Sequence, residues 1–170
     1  MKRSLLLVLT AALLALGLLA GCGGDDDDGG GDDASAQKEE FAKAYKPIND
    51  EFVSTGEDVA KTINTAKGKS NAELAVTFRA LAARVDALKK RLEGVDTPED
   101  FTADRQRLLA SMEVVARDLE EISDAARLGK AAEAKAKVQE LMRHSVETRT
   151  ARRGLARKAG LPETNQTQQQ

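Results

Sequence analysis

The residue types that most often carry out chemistry are scarce in this chain, which has one cysteine, Cys22, and one histidine, His144. A Cys–His or Ser–His–Asp nucleophile arrangement would need His144, yet no such motif surrounds it, and Cys22 lies near the start of the sequence. Di-iron bundles use Glu-x-x-His on paired helices, whereas Glu140 precedes His144 by four residues. Ligands for a structural zinc site are also lacking. We therefore predict no catalytic residue, no metal site and no enzymatic activity.

One cofactor arrangement stays open as a remote alternative. Met112 lies 17 residues before Gly129 and His144 lies 15 after it, so the two could be level on adjacent antiparallel helices. Bundle b-type cytochromes hold haem with a Met/His axial pair. However, Met112 falls in an apolar stripe and His144 at its edge, which is typical of a core methionine and a boundary histidine. We therefore predict no cofactor.

The surroundings of Cys22 have the layout of a secretory leader. A basic pair, Lys2 and Arg3, precedes an apolar run over residues 5–20, and about 16 apolar residues are short for a spanning helix. The end of this run resembles the lipobox of bacterial envelope lipoproteins, with the residues Leu19-Ala20-Gly21-Cys22. The resemblance implies cleavage between Gly21 and Cys22 and a diacylglyceryl group on the Cys22 thiol.

Lipidation at Cys22 would fix the location of the protein. A single acyl chain holds a protein only marginally, whereas two or more hold it durably. The resemblance therefore implies a lipid-anchored protein on the extracytoplasmic side of the cell membrane or of an outer membrane. The membrane is then the first predicted partner.

Composition divides the chain into four parts. Residues 1–21 are the predicted leader. Residues 22–33, rich in glycine and aspartate, cannot bury apolar surface and are predicted to form a flexible, solvated tether. The aspartates of this segment lack the spaced ligands and bidentate glutamate of a dedicated calcium loop. Residues 34–160 are predicted to form the folded domain, and residues 161–170 a disordered polar tail.

Composition and periodicity predict an all-α fold. Aromatic residues make up only 3% of the chain and charged residues 32%, which suits helices with apolar stripes better than strands. Apolar residues recur at spacings of three and four, most regularly from Leu74 to Val95. Capping or helix-breaking residues separate the stripes, namely Gly68, Ser70, Pro98, Gly129 and Gly160. The pattern predicts an antiparallel up-down-up-down four-helix bundle with coiled-coil-like packing, over residues 36–66, 70–93, 97–127 and 130–159.

Two helix ends carry specific expectations. Thr97 is predicted to cap the third helix, with Pro98 in its first helical position. The fourth helix is predicted to stop either at Gly154 or at Gly160, where a following proline strengthens the stop signal.

The second half of the predicted fourth helix is unusual. Ser145, Thr148 and Arg152 interrupt its apolar stripe before Leu155 restores it. Cations near a helix C-terminus are favoured by the macrodipole, and this is the simplest explanation of the basic residues there. Alternatively, the predicted topology places this end near the tether and the anchor, so the cluster would contact anionic headgroups or the tether's aspartates. The residues concerned are Arg149, Arg152, Arg153, Arg157 and Lys158.

These observations favour a binding or structural role. The net charge of −2 gives no global basic field, so nucleic acid is not a predicted partner. The predicted function is a membrane-anchored envelope lipoprotein that acts as a non-enzymatic interaction or spacer module, with an unidentified envelope protein as partner. The alternative is a carrier of a small apolar ligand between the helices. A contiguous exposed apolar patch would favour the partner, and an enclosed cavity above roughly 300 Å³ would favour the ligand.

Overall fold

The computed structural model describes residues 31–162. Within that range the chain is all-helical, and its four α-helices pack against one another, as predicted. The helices are α1 (Gly31–Asn64), α2 (Asn71–Glu93), α3 (Thr102–Arg127) and α4 (Ala131–Lys158). Short 3-10 turns precede α2 and α3 at Ala66–Gly68 and Glu99–Phe101. The first helix begins before the expected residue 36 and includes the end of the segment predicted as a tether.

Side-chain caps and glycines set the helix ends. The Ser70 hydroxyl accepts the backbone N–H of Glu73 at 3.3 Å, and the Glu73 carboxylate accepts the backbone N–H of Ser70 at 2.8 Å. This reciprocal capping box starts α2. Helices α3 and α4 are each followed by a left-handed glycine, Gly129 with φ 70° and Gly160 with φ 73°. Gly154 lies inside α4, so the fourth helix ends at the Gly160 signal.

The start of the third helix differs from the prediction. Pro98 has an extended backbone, with ψ 148°, so it does not occupy a first helical position. The Thr97 hydroxyl donates to the carbonyl of Val95 at 2.8 Å instead of accepting from a helix N–H. The expected cap at Thr97 is therefore wrong. The α-helix begins at Thr102, after a 3-10 turn that brings the buried ring of Phe101 into the core.

The apolar stripes meet in one core cluster. Four leucines at its centre, from α2, α3 and α4, have no exposed surface, namely Leu88, Leu92, Leu119 and Leu155. The first half of α1 is also fully part of this core through Phe41, Tyr45 and Ile48. The second half of α1 contributes only partly buried apolar side chains, Phe52, Val59 and Ile63, and its buried residues, Thr55 and Thr62, are polar.

Packing between the helices is uneven. Helix α3 contacts both α2 and α4 extensively, whereas α1 contacts α2 less and α4 least. The second half of α1 consequently stands away from α4. Among the residues described, no helix is both long and apolar enough to span a bilayer.

Candidate functional site

A cleft of about 890 Å³ lies between the second half of α1 and the middle of α4. Residues from 52 to 65 line it on the α1 side, and residues from 141 to 152 line it on the α4 side. Val85 of α2 and Val115 of α3 also line the cleft. The volume falls in the range of about 300–1,000 Å³ that is usual for small-molecule sites.

The interrupted stripe of α4 explains why the cleft exists. Where α4 would need large apolar side chains to fill the space beside α1, it carries Ser145, Thr148 and Arg152. The Thr148 hydroxyl donates to the carbonyl of His144 at 3.0 Å and is thereby satisfied within its own helix. These residues supply no apolar knob for α1, so Val59 and its neighbours remain only partly buried. The sequence shows the interruption of the α4 stripe, but it does not show that a cleft results, because that depends on where α1 lies.

A buried arginine lies at one end of the cleft. Arg152 is 3% exposed and Asn49 is 2% exposed, and the arginine Nη1 donates to the Asn49 Oδ1 at 2.8 Å. Within residues 31–162 this is the only hydrogen bond of the guanidinium, and no carboxylate forms an ion pair with it. Burial lowers the pKa of Arg152, and the nearby charges of Arg153 and Arg149 act in the same direction. The site therefore contains a desolvated cation that is compensated by an amide oxygen alone.

Tyr45 adds a neutral group to this end of the fold. Its hydroxyl is buried, and among the described residues it has no hydrogen-bond partner. Burial raises the pKa of Tyr45, and the opposing charge of Arg152 does not outweigh that effect. A neutral phenol supplies no negative charge, so Arg152 stays uncompensated.

A second polar cluster lies between α3 and α4. The buried Asp118 carboxylate is 2.6 Å from the Nδ1 of His144. Oxygens of Asp118, Glu121 and Glu140 lie within 4.8 Å of one another, a donor set that is compatible with a cation. Lys137 already occupies that role, with its Nζ 2.8 Å from Glu121 and 2.9 Å from Glu140. Hydrogen bonds to these two carboxylates raise the pKa of Lys137, and each of the three carboxylates has Lys137 or His144 as its partner.

The structure separates the two residues considered for haem. His144 pairs with Asp118, whereas Met112 is a core residue with 1% exposure. The carbonyl of Ser111, next to Met112, lies 3.4 Å from the hydroxyl of Thr148, one turn beyond His144. His144 is therefore not level with Met112.

The structure also divides the five basic residues of α4 that were grouped from sequence. Arg152 is buried, so as placed it does not present its charge to an outer surface. Arg149 borders the cleft, and the other three residues are exposed. One of these, Lys158, lies 3.2 Å from the carboxylate of Asp104. Contact between the exposed members and an anionic surface stays a prediction.

The leader, the cleavage position at Gly21 and the predicted lipidation site at Cys22 lie outside the described residues. Comparison of the chain with protein-family models, with curated proteins and with solved structures found no match.

Proposed function

We propose that this chain is a non-enzymatic envelope lipoprotein whose helical bundle binds a small apolar ligand in the cleft between α1 and α4. The observation that carries the binding role is the cleft itself, with a volume of about 890 Å³. Its lining combines apolar side chains from all four helices with polar and charged groups along both walls. The absence of a nucleophile or histidine motif in the sequence favours binding over catalysis.

The anchor is the second part of the proposal, and it rests on the sequence around Cys22. The basic pair, the apolar run and the Leu19-Ala20-Gly21-Cys22 segment support lipidation and an extracytoplasmic location. Mass spectrometry of the protein from its own membranes should find a diacylglyceryl group on Cys22 as the first residue. An unmodified, unprocessed N-terminus would contradict the anchor and leave the cleft unaffected.

We also propose an antiparallel up-down-up-down connectivity for the four helices. Ion pairs between neighbouring helices support it, because a higher residue number on one helix pairs with a lower residue number on the next. Such pairs are Arg84–Asp58 and Arg91–Glu51, Arg79–Asp124 and Lys89–Glu113, and Lys137–Glu121 and Lys158–Asp104. Short connections between consecutive helices favour the same arrangement.

The binding role is tested by filling the cleft. The chain from residue 22 onward, with Cys22→Ser, keeps every described residue and carries no acyl group of its own. An uncharged naphthylamine dye that fluoresces in apolar surroundings should bind to it. Val59→Trp, which places a large ring in the cleft, should weaken binding about tenfold or more, since the space for the dye is lost.

Val76→Trp is the matched control, because Val76 is 71% exposed and does not line the cleft. This variant should bind the dye like the parent. Equal binding by Val59→Trp and Val76→Trp would remove the cleft as the site. Thermal unfolding of both variants establishes that each is folded at the temperature of the assay.

A protein partner is the second candidate. Met142 is 58% and Val146 is 53% exposed, and they lie one turn apart on the same face of α4. Exposed apolar pairs of this kind are typical of interaction surfaces when they extend into a larger patch. Crosslinking of the lipidated protein in its native envelope should then capture one defined protein, and the capture should be lost in Met142→Asp.

A further inference from the structure

The cleft also carries information about the chemical class of its ligand, an inference that rests on the proposed binding role. Buried charges in proteins are ordinarily paired, because removing an ion from water costs several kcal/mol that a counter-charge must offset. Arg152 has no such partner among residues 31–162. The charge of Asp50 raises the pKa of Arg152, but that carboxylate forms its ion pair with Lys46, at 2.5 Å.

A second arginine lines the cleft close to Arg152. Arg149 is one turn before Arg152 on α4, and both side chains line the cleft. The Arg149 Nε donates to the carbonyl of Ser145 at 3.2 Å, which holds this exposed side chain along its own helix. One buried and one exposed guanidinium thus line the cleft, together with one carboxylate, that of Glu57.

The rest of the cleft carries apolar side chains interspersed with polar ones such as Glu57 and Lys61. The apolar part of this lining includes Val59, Ile63, Leu141 and Met142. From residue 141 to residue 152 an α-helix rises about 16 Å, at 1.5 Å per residue. An extended single acyl chain of roughly twelve carbons has about this length, and burying its methylenes contributes roughly 0.8 kcal/mol each to affinity in general.

We propose that the ligand is a single-chain fatty carboxylate, whose head pairs with Arg152 and Arg149 and whose tail lies along Val59, Ile63 and Leu141. A planar guanidinium matches a carboxylate bidentately, which favours this headgroup chemistry. Only one of these two cations, Arg152, is buried without a carboxylate partner, and a monoanion matches that single charge. The bound carboxylate would supply the counter-charge that Arg152 lacks among the described residues.

The test compares three ligands with the same tail in displacement of the uncharged dye. Dodecanoate, dodecanol and dodecyl phosphate are titrated against the chain from residue 22 onward with Cys22→Ser. Dodecanoate should displace the dye at about a tenfold lower concentration than dodecanol, because it adds charge-assisted hydrogen bonds. It should also act at a lower concentration than dodecyl phosphate.

Variants assign the preference to the arginines. Arg149→Gln should weaken dodecanoate binding severalfold and leave dodecanol unchanged, since only the charged head loses a partner. Arg153→Gln is the matched control, with the same loss of charge at an exposed position outside the cleft, and should weaken dodecanoate binding less than Arg149→Gln does and leave dodecanol unchanged. Arg152→Met should abolish the preference for dodecanoate. If Arg152→Met does not fold, the comparison of Arg149→Gln with Arg153→Gln still decides whether the cleft binds a carboxylate head.

The outcomes separate this inference from the function on which it rests. If dodecanol and dodecanoate displace the dye equally, or if Arg149→Gln and Arg153→Gln behave alike, the anionic ligand is overturned and the apolar cleft stands. If dodecyl phosphate is clearly preferred, the carboxylate is overturned in favour of a phosphate head. If neither the dye nor any of the three ligands binds, the proposed binding role itself fails.

Discussion

On the side of α4 that packs against α3, the buried carboxylate of Asp118 lies 2.6 Å from His144, and Lys137 joins the two neighbouring glutamates. On the side that faces α1, the buried guanidinium of Arg152 has one amide oxygen as its partner. Each carboxylate of the first set has Lys137 or His144 as its partner, whereas the guanidinium of the second set has no carboxylate partner among the described residues. Both sets include residues of α4, so the difference comes from what the neighbouring helix supplies.

Packing also differs between these two sides of α4, and it is tighter on the side that faces α3 than on the side that faces α1. Leu119 and Ile122 of α3 are essentially fully buried, whereas Val59 and Ile63 of α1 border an open cleft. A void and an uncompensated charge therefore occur on the same side of the helix. A bundle selected for stability alone would be expected to remove both features, since each lowers the free energy of unfolding. Their coincidence is the main reason to assign binding to the α1 side.

The largest contrast is expected when an aliphatic side chain is truncated on each side. Leu119→Ala should lower the free energy of unfolding by about 3 kcal/mol, because it leaves a cavity in a closed core. Ile63→Ala should lower it by less than about 1 kcal/mol, because the side chain already borders the cleft and leaves no enclosed void. Urea denaturation of both variants measures the difference. Equal losses would show that the α1 side is packed as tightly as the α3 side.

A smaller contrast is expected from the charges. Asp118→Ala removes one partner of the His144 pair and should lower the free energy of unfolding by about 2 kcal/mol. This is less than for a fully buried pair, because the His144 side chain is 34% exposed. The double variant Asn49→Leu/Arg152→Met instead replaces an uncompensated polar pair by apolar groups. It should leave the stability of the ligand-free protein unchanged or raise it.

Chemical denaturation of these two variants beside the parent decides the point. A loss of more than about 1 kcal/mol in the double variant would mean that the Asn49–Arg152 contact stabilises the fold by itself. The charge argument for a ligand would then lose its basis, whereas the expectation for Asp118 would be unaffected.

Much of the tightly packed part of the bundle, formed by α2, α3 and the side of α4 that faces α3, could be predicted from the sequence. The unbroken stripe from Leu74 to Val95 predicted α2, and its buried positions follow that spacing. The gap in the third stripe at Arg105 has a local cause, since this side chain donates to the carbonyl of Val95 at 3.1 Å, just beyond the end of α2. A helix pattern read alone does not show that a long side chain will cap its neighbour.

The side of α4 that faces α1 and borders the cleft could be predicted only in part. The interruption at Ser145, Thr148 and Arg152 marked α4 as unusual, and the basic residues around it suggested an outer surface. Arg152 is buried instead, because Asn49 of α1 lies opposite and accepts from it. The sequence pattern does not single out Asn49, which has a role only through a contact across 103 positions of the chain. The distance between α1 and α4 depends on all four stripes together.

The smallest predicted effect concerns Tyr45, which would compensate Arg152 if it ionised. Burial raises its pKa, so the folded protein keeps a neutral phenol at a pH where the unfolded chain begins to ionise. The contribution to stability is thus complete below about pH 10 and is lost as the pH rises further. By about pH 11 the free energy of unfolding should fall by about 1 kcal/mol more in the parent than in Tyr45→Phe. Subtracting the Tyr45→Phe values removes the contribution of lysines that titrate in the same range.

Tyr45 is the only tyrosine of the chain, so its ionisation can be followed directly by the ultraviolet absorbance of tyrosinate. The absorbance should rise only together with unfolding. A native protein that forms tyrosinate below about pH 10 would contain a Tyr45–Arg152 ion pair. Arg152 would then have an anionic partner, and the cleft would hold no unpaired buried cation for an anionic head to neutralise.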